Sequence, residues 1–177
     1  MWGPTSRTCA GLLAVTLIGA GCAGPIKELD GGYHHRRHGY RIDAPGGPGG
    51  AWQRIEVEHA QLAFRRPGPS IVSLLSRCGR PVADPALMAR HLVIGLPNRD
   101  LVQAGPLVVA GRDAWTQTFD TVQDGVSVRV KTVTLVVGDC TLDWILSASG
   151  PFEPAEAAFD AWWQSIRLDR RHDQEEG

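Results

Sequence analysis

Residues 112–148 read RDAWTQTFDTVQDGVSVRVKTVTLVVGDCTLDWILSA. Three β-rich runs, Arg112 to Val122, Val126 to Val137 and Cys140 to Ala148, are joined by Asp124-Gly125 and Gly138-Asp139. Both joints are two-residue connections of the kind that closes an antiparallel hairpin. Centring the first turn sets Asp120 opposite Arg129, an opposite-charge cross-strand pair. Centring the second sets Leu142 opposite Leu135 and Trp144 opposite Val133. One face of this meander is then apolar throughout: Ala114, Val133, Leu135, Val137, Cys140, Leu142, Trp144 and Leu146. The other is mixed, with Trp115, Phe119, Val128, Val130, Val136 and Ile145, so a covering layer is expected there too. The fold class that follows is α+β, an antiparallel sheet with this C-terminal three-strand meander, covered by helices.

The flanks supply those helices. Glu153 to Leu168 reads as one helix, with acidic residues in its first turn and Arg167 in its last, as the helix dipole favours. Ala155, Phe159, Trp162, Trp163 and Ile166 form an apolar stripe along it. Large aromatics on such a helix belong in a core; the functional alternative is a ligand pocket between sheet and helix, lined by Trp144, Phe159 and Trp163. Upstream, Asp84-Pro85 is a helix start, and Leu87, Met88, His91, Leu92 and Ile94 follow before Gly95 and Pro97 end it. His91 is expected in the core. Tyr40-Arg-Ile-Asp-Ala-Pro is a short strand, Ala51 to Phe64 fits one bent strand or two short ones, and Ser70 to Cys78 fits another. The domain is thus expected over 40–168, with a charged, disordered tail at 169–177.

The N-terminal stretch speaks of location. Arg7 precedes a charge-free apolar run too short to span a bilayer, which describes an export signal. Its end, Ala20-Gly21 directly before Cys22, resembles the lipobox of bacterial lipoproteins, although Gly19 stands where that family most often has Leu. The resemblance implies removal of 1–21, a lipid anchor on Cys22, and, because Ala23 is not Asp, an outer-membrane address facing the periplasm. Nine of the 21 glycines fall between 21 and 50, so 22–39 is expected to be a flexible tether, spanning on the order of 20–25 Å. Within it His34, His35, Arg36, Arg37 and His38 read as a solvated linker or as a contact for anionic headgroups beside the anchor. Metal ligation by these histidines is disfavoured by the interleaved arginines.

A formal net charge of −1 and export both argue against nucleic-acid binding. Cys78 and Cys140 remain once Cys9 and Cys22 are set aside. An oxidising compartment would pair them as a disulfide; otherwise they are two buried thiols. No nucleophile elbow, zinc motif or dinucleotide fingerprint occurs, so no catalytic residue, cofactor or metal is expected. The remote alternative, a thiol-dependent enzyme, would need Cys78 or Cys140 free beside His59 or His91.

From Tyr40 the order is strand, alternating strands, helix, antiparallel meander and closing helix. With Phe159-x-x-x-Trp163-x-Ser165-Ile166-Arg167 at its end, it resembles the PsbP-like domains, whose antiparallel sheet lies between helices. That resemblance implies an accessory domain docking on an envelope protein complex. The alternative is a carrier or sensor of an apolar ligand such as a lipid.

Overall fold

The computed structural model describes residues 26–47, 50–79 and 83–169. The lipobox, Cys22 and residues 170–177 lie outside the described residues. In chain order the elements are β1 (Ile26–Leu29), β2 (Gly32–His35), β3 (Tyr40–Asp43), β4 (Gln53–Ile55), β5 (Leu62–Arg66), β6 (Ser70–Arg77), α1 (Pro85–Leu92), β7 (Asp100–Val109), β8 (Arg112–Gln123), β9 (Val126–Val137), β10 (Cys140–Ala148), α2 (Glu153–Gln164) and β11 (Arg167–Leu168). They form a seven-stranded sheet, β4-β5-β6-β10-β9-β8-β7, and a four-stranded one, β1-β2-β3-β11, antiparallel throughout.

The meander has the register its turns dictate: Asp120 faces Arg129, Leu142 faces Leu135 and Trp144 faces Val133. Asp120 accepts from Arg129 Nε at 2.7 Å and from Nη2 at 2.9 Å. The apolar face is buried from Ala114 to Leu146, with Val133, Leu135, Trp144 and Leu146 fully so. Onto it pack α2, through Ala155, Phe159, Trp162 and Ile166, and the inner face of the small sheet, through Tyr33, Tyr40 and Ile42. Phe64 joins the layers, meeting the rings of Tyr33 and Trp162 at 5.6 Å each.

The second face of the sheet is covered by α1. Asp84 caps it, its carboxylate accepting from the Leu87 amide at 3.1 Å. The helix lies close because Ala89 faces the sheet: Gln117 Nε2 donates to the Ala89 carbonyl at 2.7 Å. His91 is exposed, not in the core as expected. Ala89 and Val93, each two residues from it, take the buried side instead.

Three further expectations are corrected. The tether begins the fold: β1 and β2 pair across Asp30-Gly31, a hairpin turn in which Gly31 has φ 77°. Tyr33 and His35 are buried, so residues 26–39 belong to the domain. The closing helix stops at Gln164, and Arg167 sits in β11, not in a last helical turn. Asp169, assigned to a disordered tail, donates its amide to the Gly39 carbonyl at 2.8 Å. Finally β7, for which the sequence reading has no expectation, is an edge strand containing Pro106, a position that tolerates a missing amide donor.

Candidate functional site

The small sheet carries the most distinctive charge pattern. Register sets Lys27 opposite His34, His34 opposite Arg41 and Arg41 opposite Arg167. Residues directly opposite share a face, so these four side chains form a basic row across all four strands. The neighbouring row, Ile26, His35, Tyr40 and Leu168, points to the opposite, inner face. Like charges so placed repel, and two carboxylates temper them. Asp169 Oδ2 lies 3.1 Å from His34 Nε2 and its Oδ1 lies 3.8 Å from Arg41 Nε. Asp43 Oδ2 lies 3.8 Å from Arg167. Arg41 and Arg167 remain 58 % and 73 % exposed, and Lys27 is exposed.

The β2–β3 turn extends the basic surface past the end of the sheet. Arg36 and Arg37 are exposed there, and neither forms a salt bridge among the described residues. The turn is pinned from beneath. The Gly39 amide donates to the His35 carbonyl at 2.9 Å, and the His38 amide donates to His35 Nδ1 at 3.0 Å. The His35 and His38 rings stack at 4.0 Å, and His38 Nδ1 bonds the Ser76 hydroxyl at 2.6 Å. Burial, then the adjacent His38 ring, hold the His35 pKa down to about 4. Burial, then Arg37, lower that of His38, with Asp139 opposing. Burial pushes the Tyr40 hydroxyl up to about 12.

The five-residue cluster expected to meet headgroups is therefore divided. Arg36 and Arg37 face solvent, His34 is half-buried against Asp169, His38 is half-buried on Ser76, and His35 is 1 % exposed and unavailable to any headgroup. Because His34 and His35 lie on opposite faces of β2, they do not converge on one ion. The row partners Lys27, Arg41 and Arg167 are absent from the sequence expectation. The signal for them was Asp30-Gly31, the same dipeptide that closes the first hairpin of the meander.

Cys78 and Cys140 form a disulfide between the ends of β6 and β10. The expected pocket is filled by its own lining. Trp144 and Phe159 are 0 % exposed in the core, and the half-buried Trp163 turns its indole N–H to Asp160 Oδ1 at 2.9 Å. An apolar cleft of about 300 Å³ lies instead on the α1 side, between Leu92, Val93 and Leu96 and the sheet residues Val130, Thr132 and Ile145. The Thr132 hydroxyl there is buried without a hydrogen-bond partner.

No protein-family model matches the sequence, and no curated protein is similar to it at the sequence level. Solved structures do share its architecture. Cyanobacterial PsbP (CyanoP) from Synechocystis sp. PCC 6803 superposes with a TM-score of 0.59 at 14 % identity, over 92 % of this chain and 98 % of that one. LpqN of Mycobacterium tuberculosis, described as involved in cell envelope biogenesis, gives 0.58 at 16 % identity, over 78 % and 89 %. The Ran-binding protein Mog1p of Saccharomyces cerevisiae gives 0.52 at 10 % identity, over 76 % and 93 %. At such identities the likeness is one of fold, and the chain has the PsbP-like fold.

Proposed function

We propose that this chain is a non-catalytic accessory domain of the cell envelope, held to the membrane by lipid on Cys22 and docking on an envelope protein complex from the periplasmic side of the outer membrane. The observation that carries the reading is the Cys78–Cys140 disulfide, since such bonds persist in oxidising compartments. It fits the lipobox, and it occupies both thiols that a cysteine nucleophile would need. The buried titratable groups are likewise taken up internally. Asp143 accepts from Thr134 at 2.8 Å and Arg77 at 3.1 Å, and Lys131 is bound by Glu156 and Asp160 at 2.8 and 2.9 Å. LpqN, a fold neighbour connected with envelope biogenesis, is consistent with the same setting.

The test is fractionation of cells expressing the chain and its Cys22→Ser variant. Wild type should sediment with membranes carrying acyl mass on Cys22, and the variant should be soluble. In mild detergent the wild type should migrate above its monomer mass with an envelope protein. A cytosolic chain retaining Met1, or migration as a bare monomer, overturns the anchor or the docking role respectively.

A second reading, carriage of an apolar ligand, is favoured only by the α1 cleft with its unpartnered Thr132 hydroxyl. Val130→Trp should fill that cleft and abolish any lipid-induced shift in tryptophan emission.

A further inference from the structure

We infer that the basic end of the small sheet rests on the anionic headgroups of the membrane that holds the anchor, through Lys27, Arg36, Arg37, Arg41 and Arg167. The inference rests on lipidation of Cys22. Its first support is chain length. The first described strand begins at Ile26, four residues beyond Cys22, and four residues reach at most about 14 Å. The domain therefore cannot stand off the bilayer by the 20–25 Å that a tether of 22–39 would permit, and the end of β1 must lie at the headgroup surface.

Which residues occupy that end is set by register. Ile26 shares its cross-strand row with His35, and the next row is the basic one, Lys27, His34, Arg41 and Arg167. The β2–β3 turn carrying Arg36 and Arg37 closes the same end. The basic surface is thus beside the point where the chain departs for Cys22. Charge complementarity supplies the second support. Among the described residues Asp43 and Asp169 oppose the row, each held by one of its members, and Asp139 acts on His38 in the turn, so three carboxylates face the five cations. A basic side chain close to an anionic leaflet contributes about 1 kcal/mol, fading over a Debye length of roughly 8 Å.

The chain contains only two lysines, Lys27 and Lys131, which gives a direct footprint. Lys131 is tied to Glu156 and Asp160 and serves as the internal reference. The full lipidated chain is placed in vesicles of phosphatidylcholine alone or with phosphatidylglycerol, and labelled with an amine-reactive acetylating reagent. Lys27 should react roughly threefold or more slowly, relative to Lys131, on the anionic vesicles. The protection should vanish in high salt and in Arg36→Gln/Arg37→Gln, whose exposed side chains form no salt bridge among the described residues. The same mass spectra report the acyl group on Cys22, so its absence removes the anchor reading. An acylated chain whose Lys27 reacts equally fast on both vesicle types, or is protected equally by inorganic phosphate on neutral vesicles, overturns the headgroup contact alone.

Discussion

Cys78 and Cys140, 62 residues apart in sequence, are covalently joined where neighbouring strands β6 and β10 end. In the chain-entropy view, closing a loop of that length stabilises the fold by roughly 4 kcal/mol. Intact mass should rise by two hydrogens on reduction, and Cys78→Ala/Cys140→Ala should unfold at lower urea by up to about that amount. An unchanged mass excludes the bond.

Gly32 separates a folded strand from a loose tether. A Cβ built there would stand 2.6 Å from the Ile42 carbonyl oxygen across the β2–β3 pair. Gly32→Ala should therefore cost about 1–3 kcal/mol in chemical denaturation. In an unstructured segment the same change would be silent.

His35 makes stability depend on pH. Its pKa is about 4 in the fold against an ordinary 6.5, through burial and then His38. A histidine depressed on folding takes its proton first in the unfolded chain. Its contribution is therefore complete above pH 6.5 and is lost as pH falls towards 4. Facing it are His38, Tyr40 and Ser76, with Arg37, His34 and Asp139 nearby. Between those pH values wild type should lose about 2–3 kcal/mol more than His35→Asn, whose side-chain oxygen can still accept from the His38 amide. Asp143, whose pKa burial pushes up, has the opposite slope but is common to both proteins. Parallel curves would remove His35 from the account.

Phe159 tests whether the sheet–helix interface is solid. It is 0 % exposed, so Phe159→Ala should cost about 3–5 kcal/mol. Trp163→Ala, at a half-exposed position outside the densest packing, should cost clearly less. Equal losses would mean that the stripe on α2 is buried more evenly than its geometry implies.

How far the fold can be read in advance depends on where hydrophobic alternation is uninterrupted. The meander is legible because Asp124-Gly125 and Gly138-Asp139 fix register, and a register fixes every facing pair. The stripe on α2 is legible for the same reason at helical period. The small sheet is hidden because glycines are read as a loss of order, whereas Gly31 turns a hairpin and Gly32 admits a close backbone. In β7, Gly105-Pro106 breaks the pattern that an edge position tolerates. The exposure of His91 follows from close approach of Ala89 to Gln117, a contact between elements that spacing along one helix does not contain. The basic row is of the same kind: Lys27, Arg41 and Arg167 become neighbours only through pairing of strands far apart in the chain.

Ile26 and Leu168 lie in a single cross-strand row on the two outer strands of the small sheet, so the first strand starts and the last one finishes at the same end of that sheet. A fluorescent or affinity handle joined after β11 is therefore delivered at the end of the sheet from which the chain departs towards Cys22, where it would jostle whatever that end meets. Probes meant to leave that end untouched belong in the exposed Asp124-Gly125 turn.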